Sequence, residues 1–151
     1  MNKIHELIEA SEKLTNIFGY WPTFHDAEIV EIQLSRGNVR PERKLYQFAS
    51  LALTVHLWEI TKDIDEKGYF VLRNHILARL QFLDIADLRM EDFNHQNAIF
   101  SLGIQHNSNP EGQPRPFSIK IDSSFGVDAE FLCSRVVVSD AVLCTPAGEL
   151  V

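Results

Sequence analysis

The first part of the chain carries apolar residues at the spacing of a helix. Between residues 3 and 18 the apolar positions fall in one stripe at about 3.6 residues per turn, and the charged positions lie largely outside it. Gly19 tolerates the left-handed backbone that ends many helices, and Pro22 cannot continue one. The pattern predicts one amphipathic helix over residues 3–18, with a stripe of Ile4, Leu7, Ile8, Leu14 and Phe18.

From residue 27 onward the apolar period changes to 2, which is typical of half-buried strands. Val30, Ile32 and Leu34 alternate with polar residues, and similar runs return as far as residue 144. The segments YFVL and HILARLQFL predict separate strands at 69–73 and 76–83. Because no helical pattern separates the runs, antiparallel connections are favoured over βαβ units.

These elements predict a mainly β fold of the α+β class. We expect an N-terminal amphipathic helix and then a large antiparallel sheet of about eight strands, curved or partly barrel-like. At 151 residues the chain is expected to form one domain over 1–151. The period alone leaves open whether the sheet closes as a partial barrel or splits into a sandwich. Two loops, 36–47 and 106–116, are expected to have mobile tips.

The charge balance is the one skewed property of the composition. Fourteen Lys and Arg residues oppose 21 Asp and Glu residues, which gives a formal net charge of -7. This charge disfavours nucleic acid and anionic membranes as partners and attracts basic proteins, or it serves solubility alone. No apolar run reaches the roughly 18 residues of a membrane span, and no signal-peptide core is present, so a cytoplasmic protein is expected.

Cysteine usage supports the same location. Cys133 and Cys144 show no CxxC spacing, so neither a disulfide scaffold nor a zinc ribbon is predicted. We expect Cys133 to be buried and reduced.

The segment GYWPTFHDAEI, residues 19–29, gathers aromatic, imidazole and carboxylate groups between the predicted helix and the first strand. If the strand begins before residue 27, Asp26 and Glu28 face its apolar side, where a carboxylate requires a partner. If the extended chain begins at residue 27, Asp26 is a turn residue. The candidate partners for the carboxylates are an arginine, such as Arg73 or Arg79, or backbone N–H groups near a turn.

A catalytic interpretation would combine His25, Asp26 and Glu28 as an acid–base or metal cluster, since histidine titrates near neutral pH. Adjacent residues of a strand point to opposite faces, which argues against a shared site. The sequence contains no HExxH, GxSxG, P-loop or GxGxxG pattern. We therefore predict no enzymatic activity, no metal and no cofactor.

Aromatic residues form two groups. Tyr20, Trp21 and Phe24 surround Pro22, which predicts a packed corner, although the same residues would form a binding patch if exposed. His56 and Trp58 lie opposite the apolar row of their own strand. Their face is either covered by the helix or open to a partner.

Charged residues gather near the predicted turns. Arg36, Arg40, Arg43 and Lys44 form a basic loop that is typical of a solvated hairpin. The acidic groups do not follow the pattern of a calcium-binding loop, and they form either solvated turns or a docking surface for a basic partner. The candidate partner-binding residues are His56, Trp58, Asp63, Asp65, Glu66, Asp84, Asp87, Glu91 and Asp92.

The segment WPTFHDAEI, residues 21–29, resembles the bacterial immunity protein 50 family, whose members carry a W-P-x-F-H-D-A-E segment after a short helix. DLRMEDFNHQNAI and FGVDAEFLCSRVVV resemble downstream strands of that family, so the resemblance spans most of the chain. It implies a non-enzymatic inhibitor of a cognate toxin from a polymorphic toxin system, encoded by a neighbouring gene. The signature residues that carry over, with an implied structural role, are Trp21, Pro22, Phe24, His25, Asp26 and Glu28.

Three functional interpretations follow from these observations. The favoured one is an immunity protein that binds a toxin. A second is a carrier whose curled sheet encloses a ligand cavity lined by Phe82, Phe100 and Phe131. A third is a hydrolase or metal-dependent enzyme centred on His25 and its neighbouring carboxylates. An exposed edge strand would also permit a homodimer.

Overall fold

The computed structural model describes residues 3–107 and 114–151. It confirms the predicted fold class, with a short helix at the N-terminus and an antiparallel sheet of eight strands. The 3-10 helices are Ile4–Leu7 and Pro41–Arg43, and the α-helix, α1, is Glu12–Phe18. The strands are β1 (Glu28–Ser35), β2 (Asn38–Arg40), β3 (Leu45–Gln47), β4 (Ser50–Ile64), β5 (Phe70–Leu83), β6 (Ala86–Glu91), β7 (Ala98–His106), β8 (Phe117–Phe125), β9 (Asp128–Cys133) and β10 (Arg135–Leu143).

The main sheet has the strand order β10, β5, β4, β1, β7, β8, β9, β6. The pairs β4–β5, β7–β8 and β8–β9 join neighbours along the chain, whereas β1–β7, β5–β10 and β6–β9 join distant segments. β10 and β6 lie at the two edges, so the sheet is not closed. β2 and β3 form a separate exposed hairpin within the basic loop.

The sheet curls so that its two halves share one core. Phe82 on β5 and Phe131 on β9 lie near opposite ends of the strand order, yet their rings meet edge to face at 5.1 Å. Both side chains are buried. Phe100, by contrast, is 59% exposed, so the predicted ligand cavity lined by these three residues is wrong. Two of the aromatic rings fill the space between the halves, and the third lies outside it.

The predicted helix over residues 3–18 is wrong in its extent. Residues 8–11 lie between the first 3-10 helix and α1 and belong to neither, and Glu9 is one of them. The Glu9 amide donates to the Val136 carbonyl, and the Glu9 carbonyl accepts from the Val138 amide, each at 2.9 Å. Residue 9 thus pairs with the edge strand β10, whose backbone groups would otherwise lack partners on that side.

The end of α1 follows the prediction. Gly19 adopts a left-handed conformation, with φ 81°, and its amide donates to the Thr15 carbonyl at 2.7 Å. Leu14 and Phe18 are buried in the core, so the apolar stripe packs on the inside of the curled sheet.

Two bulges alter the predicted strands. Asn74 has φ 55°, and the register of β5 shifts beside it, so that one continuous strand replaces the two predicted at 69–73 and 76–83. A second shift lies between Ile29 and Glu31. It leaves Ile29 buried and Val30 half exposed.

β4 and β5 extend beyond the rest of the sheet. β1 pairs with β4 only as far as His56, and β10 pairs with β5 only as far as Ile76. We call residues 58–74 the arm, because they continue past these points as a two-stranded hairpin. The tip of the other predicted mobile loop, at residues 108–113, lies outside the described residues.

No helix among the described residues is long and apolar enough to cross a membrane. The free cysteines Cys133 and Cys144 are both buried. Burial raises the pKa of the Cys133 thiol to about 12 and also raises the pKa of Cys144.

We predict that Phe82→Ala lowers the free energy of unfolding by about 3–5 kcal/mol, because it removes the ring that joins the halves and leaves a cavity. Urea unfolding followed by tryptophan fluorescence measures the change. Phe125→Ala is the matched control, since Phe125 is 60% exposed. It should cost less than about 1 kcal/mol. Equal costs for the two variants would contradict the packing of the halves through Phe82.

Candidate functional site

The corner between α1 and β1 is built from aromatic packing. The Trp21 ring lies 5.6 Å from the Phe24 ring and stacks at 6.4 Å on His5. Pro22 and Phe24 are buried, whereas Tyr20 is 53% exposed. The chain therefore turns around Trp21, Pro22 and Phe24, and Tyr20 stays at the rim.

The backbone that follows the corner joins the two halves of the sheet. The Asp26 amide donates to the Ile99 carbonyl at 2.9 Å, and the Ile99 amide donates to the Ala27 carbonyl at 2.8 Å. The Ile29 amide donates to the Asn97 carbonyl at 2.9 Å. We call these three hydrogen bonds the join, because β1 and β7 are the strands at which the halves meet.

His25 and Asp26 lie side by side at the surface. The His25 Nδ1 atom donates to the Phe100 carbonyl at 2.8 Å, and the His25 ring packs edge-on against the Phe100 ring at 5.5 Å. Its Nε2 atom is 3.5 Å from the Asp26 carboxylate, and both side chains are about half exposed. Asp26 has φ 69°, a left-handed conformation that suits a turn.

Glu28 does not share the surroundings of His25 and Asp26. It pairs in register with His56 on β4. Its neighbour Ile29 is buried in the core, so the Glu28 side chain points to the outer face. The structure thus brings His25 and Asp26 together and places Glu28 with a different histidine.

The structure shows the second of the two arrangements considered for Asp26, since β1 begins at Glu28 and Asp26 lies in the turn before it. Glu28 does not face the apolar side. The bulge after Ile29 reverses the face of the residues that precede it. The proposed arginine partners are engaged elsewhere. Arg73 donates to Glu59 at 2.7 and 2.9 Å, and Arg79 donates to the Gln33 side chain at 2.8 Å.

Asn97 is a buried polar residue at the join that sequence reasoning missed. Its Oδ1 atom accepts from the amides of Asn94 and Val127 at 3.1 and 3.2 Å. Its Nδ2 atom donates to the Asn94 carbonyl at 2.6 Å and to the Ile29 carbonyl at 3.5 Å. Gly126 is required beside it, because a Cβ there would lie 2.4 Å from Oδ1. In the sequence, the position of this asparagine directly before a predicted strand could have indicated a structural role.

A second polar cluster surrounds His56. The His56 Nε2 and His75 Nδ1 atoms are 3.1 Å apart, so one of the two nitrogens donates to the other. The Trp58 ring lies 5.0 Å from His56 and 5.7 Å from His75. Of the two alternatives for this face, cover by the helix or exposure to a partner, neither holds at His56, because the C-terminal turn places Gly148 beside the His56 ring.

The surroundings of both imidazoles lower their pKa values, which favours the neutral form. Burial lowers the pKa of His56, and the nearby His75 lowers it further, while the Glu28 carboxylate acts in the opposite direction. Burial also lowers the pKa of His75. The hydrogen bond between the rings needs one nitrogen that donates and one that accepts, so protonation of the accepting nitrogen would break it.

Some of the candidate acidic residues have partners that fix their position, and others are exposed. The Asp65 carboxylate accepts from the amides of Lys67 and Tyr69 at 2.9 and 3.0 Å, which fixes the turn at the tip of the arm. Asp84 forms an ion pair with Arg115 at 2.9 Å. Asp63, Glu66 and Asp87 are exposed.

Glu91 and Asp92 lie beside Asp128, with one oxygen of each within 4.8 Å of the others. We call these three residues the acidic face. They are the described residues that could hold a metal ion, although exposed carboxylates of this kind also occur without one. Arg89 and Lys120 line the same pocket as Glu91 and Asp128, and they pair with Glu130 at 3.6 Å and with Asp122 at 4.0 Å. The Asp128 carboxylate also accepts from the amide and the hydroxyl of Ser123 at 2.9 and 3.1 Å. The acidic face is therefore a compact group of three carboxylates beside two cations that have acidic partners.

The chain was compared with known proteins. A family model described as immunity protein 50 matches residues 10–142. The comparisons with curated proteins and with solved structures gave no match.

Replacement of Asn97 by alanine should lower the free energy of unfolding by about 2–3 kcal/mol, because the amides of Asn94 and Val127 lose their buried acceptor. Gln96→Ala is the control, because the neighbouring Gln96 residue is exposed. It should change the free energy of unfolding by less than about 0.5 kcal/mol. Chemical unfolding at neutral pH checks both values. An Asn97→Ala variant with the same free energy of unfolding as the wild type would show that the network does not stabilise the join.

The histidine pair predicts that stability falls as the solution is acidified. The folded-state pKa values are lowered, so the unfolded chain takes up protons first. The stability that the two unprotonated histidines contribute is therefore fully present above a pH of about 6.5. It is lost as the pH falls through their folded-state pKa values. Unfolding free energies between pH 7 and pH 5 should decline less for His56→Gln than for the wild type. His95→Gln, at an exposed histidine, should keep the wild-type slope.

Proposed function

The chain belongs to the immunity protein 50 family, and we propose that it binds and neutralises a cognate bacterial toxin by protein–protein interaction, without catalysis. The family match over residues 10–142 is the observation that carries this proposal. We further propose that the toxin is encoded by a neighbouring gene in a polymorphic toxin system and that the inhibitor acts in the cytoplasm.

The geometry around the signature supports a role without catalysis. His25 and Asp26 are half exposed on one surface, and Glu28 pairs with His56 on another strand. A general acid–base site needs its groups within hydrogen-bond reach of one substrate. The backbone of the same segment forms the join, so its residues support the architecture on which a binding surface is carried.

We propose that the acidic face is where the toxin docks. Its three carboxylates are close together and exposed to different degrees; Glu91 on β6 pairs in register with Asp128 on β9, and Asp92 directly follows β6. A compact group of like charges raises the rate at which an oppositely charged protein forms an encounter complex. The partner surface is accordingly expected to be rich in lysine and arginine.

The test uses the product of the neighbouring gene as the partner. Wild-type protein should bind it and should restore growth of cells that express it. Glu91→Lys combined with Asp92→Lys should slow association about tenfold or more at low salt, and the difference should shrink as the salt concentration rises. Asp63→Lys combined with Glu66→Lys changes the net charge equally at the tip of the arm and serves as the control.

Each outcome has a distinct meaning. Absence of a complex at every ionic strength would reject the toxin-binding function itself. A complex that forms equally well with both charge-reversal variants would reject the acidic face as the docking surface. A larger effect of the control variant would move the surface to the arm.

A further inference from the structure

The basic loop, residues 36–48, folds as an exposed hairpin with a defined turn. β2 pairs with β3, and the 3-10 helix Pro41–Arg43 connects them. At the base of the hairpin Gly37 has φ 79°, and a Cβ there would overlap the Gln47 carbonyl oxygen. The side chains of the loop are therefore presented on a preformed turn, which lowers the entropic cost of binding a partner.

The arginines of the basic loop differ from the other arginines in having no side-chain partner. Arg36, Arg40 and Arg43 are exposed, and within the part of the chain that the structure describes their side chains form no hydrogen bond or ion pair. Each arginine outside the loop pairs with an acidic or amide side chain. These paired residues are Arg73, Arg79, Arg89, Arg115 and Arg135. The guanidinium groups of the loop are thus available to an external ligand.

The basic loop also has the opposite charge to the rest of the protein. It contains four cations and one carboxylate, which gives a formal charge of +3, so the remaining residues carry -10. A ligand for the loop is therefore anionic. A guanidinium group donates two parallel hydrogen bonds to one carboxylate, so exposed carboxylates match these arginines.

Exposed aromatic rings accompany the cations. Val39 and Tyr46 are paired across the hairpin and so share one face, and the Phe48 ring lies 6.4 Å from the Tyr46 ring. Tyr46 is 55% exposed and Phe48 is 52% exposed. Tyrosine and arginine are the residue types that dominate the binding energy of many protein interfaces. The loop combines both types on one small surface.

An acidic patch on a protein fits the basic loop better than a nucleic acid or an anionic membrane does. Nucleic acids and anionic membranes carry negative charge over lengths far greater than a hairpin. The -10 charge of the remaining residues would repel them. A protein presents carboxylates locally and is free to be basic elsewhere, so it avoids this repulsion.

The basic loop and the acidic face lie near the two ends of the edge strand β6. The Ile85 amide, directly before β6, donates to the carbonyl of Ala49, directly after the loop, at 2.9 Å. Glu91 of the acidic face is the last residue of β6. Six residues of extended chain span at most about 22 Å. An interface of standard size, roughly 800 Å² per partner, is about 30 Å across. One protein is therefore large enough to contact both surfaces.

We propose that the basic loop is a second docking surface for the toxin, where it binds a group of carboxylates on the toxin. This proposal rests on the toxin-binding function proposed above. The toxin then presents a basic patch to the acidic face and an acidic patch to the basic loop. Two docking surfaces of opposite sign fix the orientation of the toxin, because the reversed orientation brings like charges together.

Binding rates with the product of the neighbouring gene, measured at low salt, test the proposal. Arg40→Glu combined with Arg43→Glu should slow association about tenfold or more. Tyr46→Ala, which changes no charge, should speed dissociation about fivefold or more. Lys62→Glu combined with Lys67→Glu is the matched control, because both lysines are exposed and the net charge changes equally. It should leave both rates within about threefold of the wild type.

A variant with four substitutions separates local charge from total charge. Glu91→Lys and Asp92→Lys add as much positive charge as Arg40→Glu and Arg43→Glu remove, so the combined variant keeps the formal net charge of -7. It should associate more slowly than either double variant, because the effects of distant sites add. Recovery of the wild-type rate would show that only the total charge matters, and the proposal would be overturned.

The remaining outcomes distinguish this proposal from the toxin-binding function. Absence of any complex with the wild type rejects that function, and this proposal with it. A complex that forms as fast with the Arg40→Glu and Arg43→Glu variant as with the wild type rejects the basic loop alone. Circular dichroism confirms that each variant is folded.

Other anionic ligands are tested with the same double variant. The probes are a labelled single-stranded RNA of about 12 nucleotides and vesicles that contain phosphatidylserine. The proposal expects neither probe to bind the wild type at physiological salt. Binding of one probe that the double variant abolishes, with toxin binding unchanged, would assign the basic loop to that ligand instead.

Discussion

The architecture depends on the join between β1 and β7. Three backbone hydrogen bonds, from the amides of Asp26, Ile29 and Ile99, connect the two groups of four strands where β1 and β7 are neighbours in the sheet. Asn97 supports this connection from inside, because its amide group bonds to β1 and to the turn that precedes β9. Buried polar networks of this kind specify one arrangement when every member has a partner. The position of every outer surface follows from it.

The pairing and the charge of the two edge strands explain which surfaces of the sheet remain available for binding. At one edge, Glu9 pairs with β10 through its backbone. The Arg135 side chain also forms a two-point ion pair with the Glu9 carboxylate, at 2.6 and 2.7 Å, which lowers the pKa of that carboxyl group. At the other edge, β6 pairs with β9 alone among the described strands and carries charged residues at alternate positions. Charge on an edge strand discourages indiscriminate strand addition. The arm has no neighbouring strand at either edge among the described residues.

Much of the fold could be predicted from the sequence, because period-2 patterning reports directly on half-buried strands. The predicted helix was too long because hydrophobic periodicity does not show that an edge strand needs hydrogen-bond partners. The backbone of Glu9 supplies these partners to β10. The sequence left the face of Glu28 open, because a bulge after Ile29 has no signature in the hydrophobic pattern. Phe100 and Phe82 look alike in sequence, and only the curl of the sheet decides which ring is enclosed. In the sequence, Asn97 resembles an ordinary loop residue. Its role depends on the turn at Gly126, which packs against it only in the folded chain.

The join also bears on how the chain reaches its native state. Hairpins such as β4–β5 and β7–β8 connect neighbouring segments, and their contacts close short loops. The hydrogen bond from Asn97 to Ile29 spans 68 positions of sequence, so it closes a much longer one. Loop closure of this length carries a larger entropic cost, and non-local strand pairing slows folding. The hairpins are therefore expected to assemble first, and the signature segment to lock them together in a late, rate-determining step.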